Sequence, residues 1–145
     1  MNTRFESNVK NLLDLFDQTK NLEEKYRLIM DLGKALPKMP KEQQTESNKV
    51  SGCQSVLYLY TCMEDGYLCF TCECDALISK GLAAILIKAY EGLTPLEMLQ
   101  SEPNFIKELD VIASISINRS NGLANIYQKI KKQSLTLLAS ASRNS

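Results

Sequence analysis

The chain has 145 residues, of which 44% are hydrophobic, and its 17 basic and 17 acidic side chains give a formal net charge of zero. This length and composition fit one compact domain with a hydrophobic core. The balanced charge does not predict a nucleic-acid partner, because such a surface needs an excess of basic residues. Histidine is absent, so the usual base that activates a serine or cysteine nucleophile is missing, as is the commonest metal ligand.

The N-terminal segment and the cysteine count predict the cellular compartment of the protein. Met1–Glu6 lacks the apolar core of a signal peptide, and the longest apolar run, Leu82–Ile87, is too short to span a bilayer. Five cysteines are an odd number, which does not fit a fully paired secreted framework. We therefore expect a cytoplasmic protein with free thiols and no membrane partner.

Helical periodicity predicts two N-terminal helices. Asn21 and Glu24 form a capping pattern that opens the second helix, and Pro37 and Pro40 end it because proline lacks a backbone donor. The polar stretch 38–49 is then predicted to be an exposed connector. The first helix is marked by apolar residues at helical spacing, namely Phe5, Val9, Leu12, Leu13 and Phe16.

After residue 56 the apolar period changes to two, which predicts a β-hairpin around an Asp65-Gly66 turn. A two-residue turn fixes the register of the two strands. One face is predicted to pair Leu57 with Cys74, Leu59 with Cys72 and Met63 with Leu68, and the other face to pair Tyr58 with Glu73, Tyr60 with Thr71 and Cys62 with Cys69.

The C-terminal half predicts helices. Ala76–Tyr90 is apolar nearly all round, as in a buried central helix, and Gly92 is its expected stop. A capping box at 94–97 opens a short helix, and 104–109 adds a further turn or two. The last helix is predicted to begin near Ser120 and to fray from Ser134. The expected fold is α+β, a single domain over 1–145 with frayed tails at 1–3 and 134–145.

Four of the five cysteines lie in the predicted hairpin, and their spacing permits a zinc or iron–sulfur site with Cys62, Cys69, Cys72 and Cys74 as ligands. Strand geometry disfavours this site, because Cys69 and Cys72 point to opposite faces. Cys72 and Cys74 are better explained as small buried hydrophobic residues. Cys62 and Cys69 are predicted cross-strand neighbours, which would permit a redox pair.

Cys53 is different, because it lies in a predicted loop next to a glycine and among small residues. Such a thiol can be approached by a second macromolecule. In a chain without histidine, thiol chemistry that needs no histidine base is the chemistry that remains.

Three segments together resemble the SufE family of cysteine-desulfuration proteins, over about residues 26–131. They are Gly52-Cys53-Gln54-Ser55, Asp75-Ala76-Leu77-Ile78-Ser79-Lys80-Gly81-Leu82 and Arg119-Ser120-Asn121-Gly122-Leu123. Each is a weak signal alone, but the three in this order and spacing are specific.

The resemblance implies a small α+β sulfur carrier with a SufE- and IscU-like fold. Cys53 would accept sulfur as a persulfide from a pyridoxal-phosphate-dependent cysteine desulfurase, stimulate that enzyme and pass the sulfur to an iron–sulfur cluster scaffold complex. Arg119 would stabilise the thiolate of Cys53, and Asp75 would shape the loop and the partner surface. The chain itself would be no enzyme and would hold no cofactor or metal, since the pyridoxal phosphate belongs to the desulfurase. The resemblance also leaves open whether two copies of the chain form a homodimer.

Two other functions stay open at this point. One is the metal-binding module built from the hairpin cysteines, and the other is a regulator that activates a desulfurase by docking without taking sulfur. Within the first reading, Cys74 is close in sequence to Asp75, and we hypothesise that it approaches Cys53 as a spare or resolving thiol, which a Cys53–Cys74 disulfide after mild oxidation would reveal.

Overall fold

The computed structural model describes residues 3–52, 55–113 and 122–143. Within these ranges the chain forms an α+β fold with a two-stranded antiparallel sheet, as the sequence predicts. The elements are α1 (Thr3–Asp17), α2 (Leu22–Lys34), β1 (Leu57–Glu64), β2 (Tyr67–Cys74), α3 (Leu77–Tyr90), α4 (Pro95–Gln100), α5 (Phe105–Ala113) and α6 (Gly122–Arg143).

The N-terminal helices follow the sequence signals. Asn21 caps α2, and its side chain accepts a hydrogen bond of 2.9 Å from the backbone N–H of Glu24. The stretch 38–49 is more ordered than the predicted exposed connector, because it contains two 3₁₀ turns, Lys41–Gln43 and Glu46–Asn48. Met39 also buries its side chain there, with 1% exposure, so an apolar contact holds the segment against the body.

Helices α2 and α3 approach each other closely at two glycines. A Cβ atom on Gly81 would overlap the backbone carbonyl of Ile29, and one on Gly33 would lie 2.8 Å from the backbone nitrogen of Gly81. Any side chain at these positions would push the two helices apart. Gly81 belongs to one of the segments that carry the family resemblance, and the structure assigns it to helix packing.

The hairpin has the predicted register at all six pairs, from Leu57 opposite Cys74 to Met63 opposite Leu68. Asp65 and Gly66 form its turn, with φ angles of 54° and 86°. The inner face packs on the core, and it includes the fully buried Leu59 and Cys72. The outer face is only partly buried.

Helix α3 is the buried centre of the molecule, as its apolar sequence predicts. Tyr90 at its end stacks on Phe5 of α1 with ring centroids 5.1 Å apart, and its hydroxyl donates a 2.8 Å hydrogen bond to the carbonyl of Ser101. The capping box of Thr94 and Glu97 forms as predicted and opens α4 at Pro95. Helix α5 is longer than the turn or two predicted from the sequence.

The tails differ from the prediction of frayed ends. Thr3 is already the first residue of α1, and α6 continues through Arg143. Ser134, where fraying was expected to begin, is fully buried, and Leu137 packs against the core. The serine content misled the prediction, because the apolar stripe of α6 extends beyond it. None of the helices in the described part of the chain is both long and apolar enough to cross a bilayer.

Candidate functional site

Two of the three predicted site residues, Cys53 and Arg119, lie outside the described residues, so their placement stays a prediction. Asp75 is described and exposed. The site is therefore defined by the described residues that flank positions 53–54 and 114–121.

Gly52 is the last described residue before Cys53. It is exposed and has a φ of +80°, a conformation that residues with a side chain rarely adopt. A Cβ atom here would also overlap the side-chain amide of Asn125, which lies in the first turn of α6. The first flank of the Cys53 loop therefore lies against the beginning of α6.

Ser55 is the first described residue after Cys53. Its hydroxyl lies 3.5 Å from that of Ser79, a contact longer than a usual hydroxyl hydrogen bond, and Ser79 belongs to the first turn of α3. Gly52 therefore lies against the start of α6, and Ser55 lies against the start of α3.

Asp75 lies at the same end of the molecule, between β2 and α3. The N-cap of α3 is Ala76, and no side chain caps that helix. The Asp75 carboxylate instead accepts a long contact of 3.9 Å from the thiol of Cys74. An exposed carboxylate without a capping role remains free to contact a partner.

Described residues from all three segments of the family resemblance therefore lie at one end of the fold, which we call the loop end. Gly52 lies against the first turn of α6, and Ser55 contacts the first turn of α3. Asp75 lies two residues before the start of α3, and Arg119 precedes the first residue of α6 by three positions in the sequence. Residues far apart in sequence are brought together because Gly52 and Ser55 lie beside two helix starts.

The loop end also exposes apolar side chains. Val56, just after the loop, is 48% exposed, and Leu77, at the start of α3, is 47% exposed. Val56 and Leu77 therefore add exposed apolar surface at the loop end.

A basic groove extends from the loop end along α6, and the sequence reasoning missed it. It comprises two adjoining cavities of about 540 and 180 Å³ that share Ser51, Lys129 and Lys132 as lining residues. Lys49 also lines the larger cavity, but it pairs with Glu46 at 2.8 Å. Burial lowers the pKa of Lys129, and the neighbouring Lys132 lowers it further. In the sequence, this groove is indicated by the spacing of Lys129 and Lys132, which lie close together on one helix.

The hairpin cysteines divide between the two faces of the sheet. Cys72 and Cys74 are buried on the inner face, and Cys62 and Cys69 are partly buried on the outer face. Across the described ranges, no group of three or more histidine, cysteine or acidic side chains is placed to hold a metal ion. In the described residues the two cysteine pairs thus lie on opposite faces of the sheet and do not converge as four ligands of one metal ion.

Comparison with known proteins places the chain in a family. Residues 10–134 match the SufE family model, described as an Fe-S metabolism associated domain. An uncharacterised SufE-like protein of Synechocystis is 31% identical over 134 residues, which cover 92% of this chain and 84% of the relative. The sulfur acceptor protein CsdE of Escherichia coli is 34% identical over 121 residues, which cover 82% of each chain.

The fold agrees with a solved structure of low sequence similarity. The solution structure of a hypothetical protein from Thermus thermophilus superposes with a TM-score of 0.74 at 21% identity, covering 91% of this chain and 96% of the other. With a family model matched over most of its length, the chain belongs to the SufE family.

Proposed function

We propose that this protein is a sulfur carrier that accepts sulfane sulfur on Cys53 from a cysteine desulfurase. The supporting observation is that Gly52 and Ser55, which flank Cys53 in the sequence, lie beside the starts of α6 and α3 in a member of the SufE family. A relative named as a sulfur acceptor points in the same direction.

The chemistry needs little from the acceptor. The thiolate of Cys53 attacks the outer sulfur of a persulfide on the desulfurase, the sulfur–sulfur bond breaks, and the desulfurase cysteine leaves as its thiolate. Cys53 then carries the persulfide. Because the desulfurase makes the activated sulfur with its own pyridoxal phosphate, the acceptor requires no histidine base.

What the acceptor does require is a stabilised thiolate, since a free cysteine with a pKa of about 8.5 is only slightly ionised at neutral pH. The starts of α3 and α6 lie beside Ser55 and Gly52, which flank Cys53 in the sequence, and helix starts carry a partial positive charge. In this proposal Arg119 adds a full positive charge near Cys53. Asp75 contributes to the surface that the desulfurase contacts.

The docking surface of the desulfurase would be the loop end together with the basic groove. Val56 and Leu77 supply apolar contact area, and Lys129 and Lys132 supply positive charge beside it. An acidic segment of the desulfurase would fit this combination. From Cys53 the sulfur would pass to an iron–sulfur scaffold complex, with the cytoplasm as the expected compartment.

The Cys53→Ser variant separates this function from regulation by docking alone. We measure sulfide released from cysteine by the desulfurase with either form of the protein, in the presence of dithiothreitol, which reduces the carried persulfide and so releases its sulfur as sulfide. We expect the wild type to stimulate release and Cys53→Ser to reduce the stimulation to background. Circular dichroism and pull-down with the desulfurase check that the variant is folded and still binds. Full stimulation by Cys53→Ser would instead establish a non-covalent regulator.

A further inference from the structure

Cys62 and Cys69 form a thiol cluster that the proposed sulfur transfer does not use. The two sulfur atoms lie 2.7 Å apart across the outer face of the hairpin, and both residues are partly buried. This distance is longer than a covalent sulfur–sulfur bond of about 2.05 Å. It is shorter than the roughly 3.5–4.0 Å of ordinary nonbonded contacts between carbon atoms.

The backbone independently places these cysteines as disulfide partners. They are directly opposite in the antiparallel register, and such residues have Cα atoms about 4.5–5.5 Å apart. Disulfides span Cα separations of about 4.4–6.8 Å, so a bond can form here without moving the strands. The register itself is enforced by the burial of the inner face.

We propose that Cys62 and Cys69 form a second thiol site, a dithiol that low-molecular-weight disulfides oxidise reversibly to an intramolecular disulfide. The thiolate of one cysteine attacks the disulfide, forms a mixed disulfide and releases one small thiol. The thiolate of the second cysteine then attacks the protein sulfur of that mixed disulfide and releases the other small thiol. Two cysteine protons end on the two small thiols, the small disulfide is reduced, and the dithiol is oxidised.

The other hairpin cysteines do not share this chemistry. Cys72 is fully buried and Cys74 is 8% exposed, both on the inner face, where a small disulfide cannot reach them. Cys62 also lies five positions along β1 from Leu57, a distance of about 17 Å at 3.4 Å per residue. The second thiol site is therefore spatially separate from the loop end.

The local environment sets the pH at which this dithiol reacts. Burial raises the pKa of Cys69 to about 12, and its contact with Cys62 contributes in the same direction. The Cys69 thiolate is therefore scarce at neutral pH and increases as the pH rises. We expect the bond to form faster at pH 9 than at pH 7.

The test is oxidation of the full chain by excess oxidised glutathione under native conditions, followed by alkylation of the remaining thiols. All five cysteines lie in one tryptic peptide, Val50–Lys80, so a protease that cleaves after glutamate is needed to separate Cys62 from Cys69 at Glu64. We expect the two fragments to be joined by a disulfide that dithiothreitol reverses. The same bond should form in Cys53→Ser, which excludes Cys53 as an intermediate.

Two variants complete the test. In Cys69→Ser the second step is impossible, so glutathione should remain attached to Cys62, whereas Cys72→Ser should form the bond as the wild type does. The Cys62–Cys69 bond does not include Cys53, so its failure to form would leave the proposed function of Cys53 intact. Free thiols at Cys62 and Cys69 after oxidation, or separate glutathione groups on each without a bond between them, would overturn the proposal.

Discussion

The α2–α3 contact and the loop end use glycine for opposite purposes. At Gly81 the absent side chain lets two helix backbones touch, and at Gly52 it lets an exposed loop adopt a positive φ beside a flexible asparagine. Both glycines belong to segments that carry the family resemblance. The same sequence motifs therefore contain two kinds of residue: some allow the helices to pack together, and others shape the loop. The variants below test that division.

The largest expected effect is at the helix contact. Gly81→Ala should lower the free energy of unfolding by about 2 kcal/mol, because overpacking costs about 3 kcal/mol and the better helix propensity of alanine returns about 1. The backbone of Ile29 cannot move aside as a side chain could. Urea unfolding measures the loss. Sulfur acceptance per folded molecule should be unchanged, and a stability equal to wild type would contradict the assigned packing role.

At the loop end we expect the reverse pattern. Gly52→Ala strains the backbone by about 1 kcal/mol, since a left-handed conformation is unfavourable for alanine. Asn125 can rotate away from the new methyl group, so little further stability is lost. Transfer of sulfur to Cys53 should fall about tenfold because the preceding residue no longer holds the loop, a change of about 1.4 kcal/mol. Single-turnover transfer from the desulfurase measures this.

Asn125→Ala serves as the control for Gly52→Ala, because it removes the neighbouring amide and leaves the glycine backbone unchanged. Its transfer rate should stay within about twofold of wild type. If Gly52→Ala loses stability as severely as Gly81→Ala, while its transfer per folded molecule is normal, then the two glycines do not differ in role.

A smaller effect is expected in the basic groove. Lys132→Glu should weaken binding to the desulfurase about fivefold at low salt and less at high salt, because exposed charges act mainly on association and are screened. The exposed Lys107 on α5 provides a matched charge reversal away from the groove. Titration calorimetry at two salt concentrations compares the two variants. Equal losses of affinity for Lys132→Glu and Lys107→Glu would show that binding responds to the net charge of the protein and not to the basic groove.

The sequence predicted features whose causes are local. The hairpin register follows from a two-residue turn and alternation of apolar residues, and the α4 capping box lies within four consecutive residues. Each of these features was confirmed in the structure. Local chemistry alone was sufficient there because no distant contact competes with it.

What the sequence could not supply depends on contacts between distant residues. Ser134 is buried by tertiary packing, so its polar side chain gave a misleading signal for the end of α6. The basic groove brings Ser51 next to Lys129, and no pattern within either segment indicates that contact. The family resemblance did identify the three segments of the loop end, but not which of their residues serve packing.

The most direct test of the central claim is the location of transferred sulfur. The full chain is incubated with a cysteine desulfurase and sulfur-labelled cysteine, persulfides are trapped by alkylation, and fragmentation spectra of the peptide Val50–Lys80 assign the label among its cysteines. The account predicts labelled sulfur on Cys53 and none on the peptide from Cys53→Ser. Label on Cys62 or Cys69 with Cys53 unmodified, or label that persists in Cys53→Ser, would contradict it.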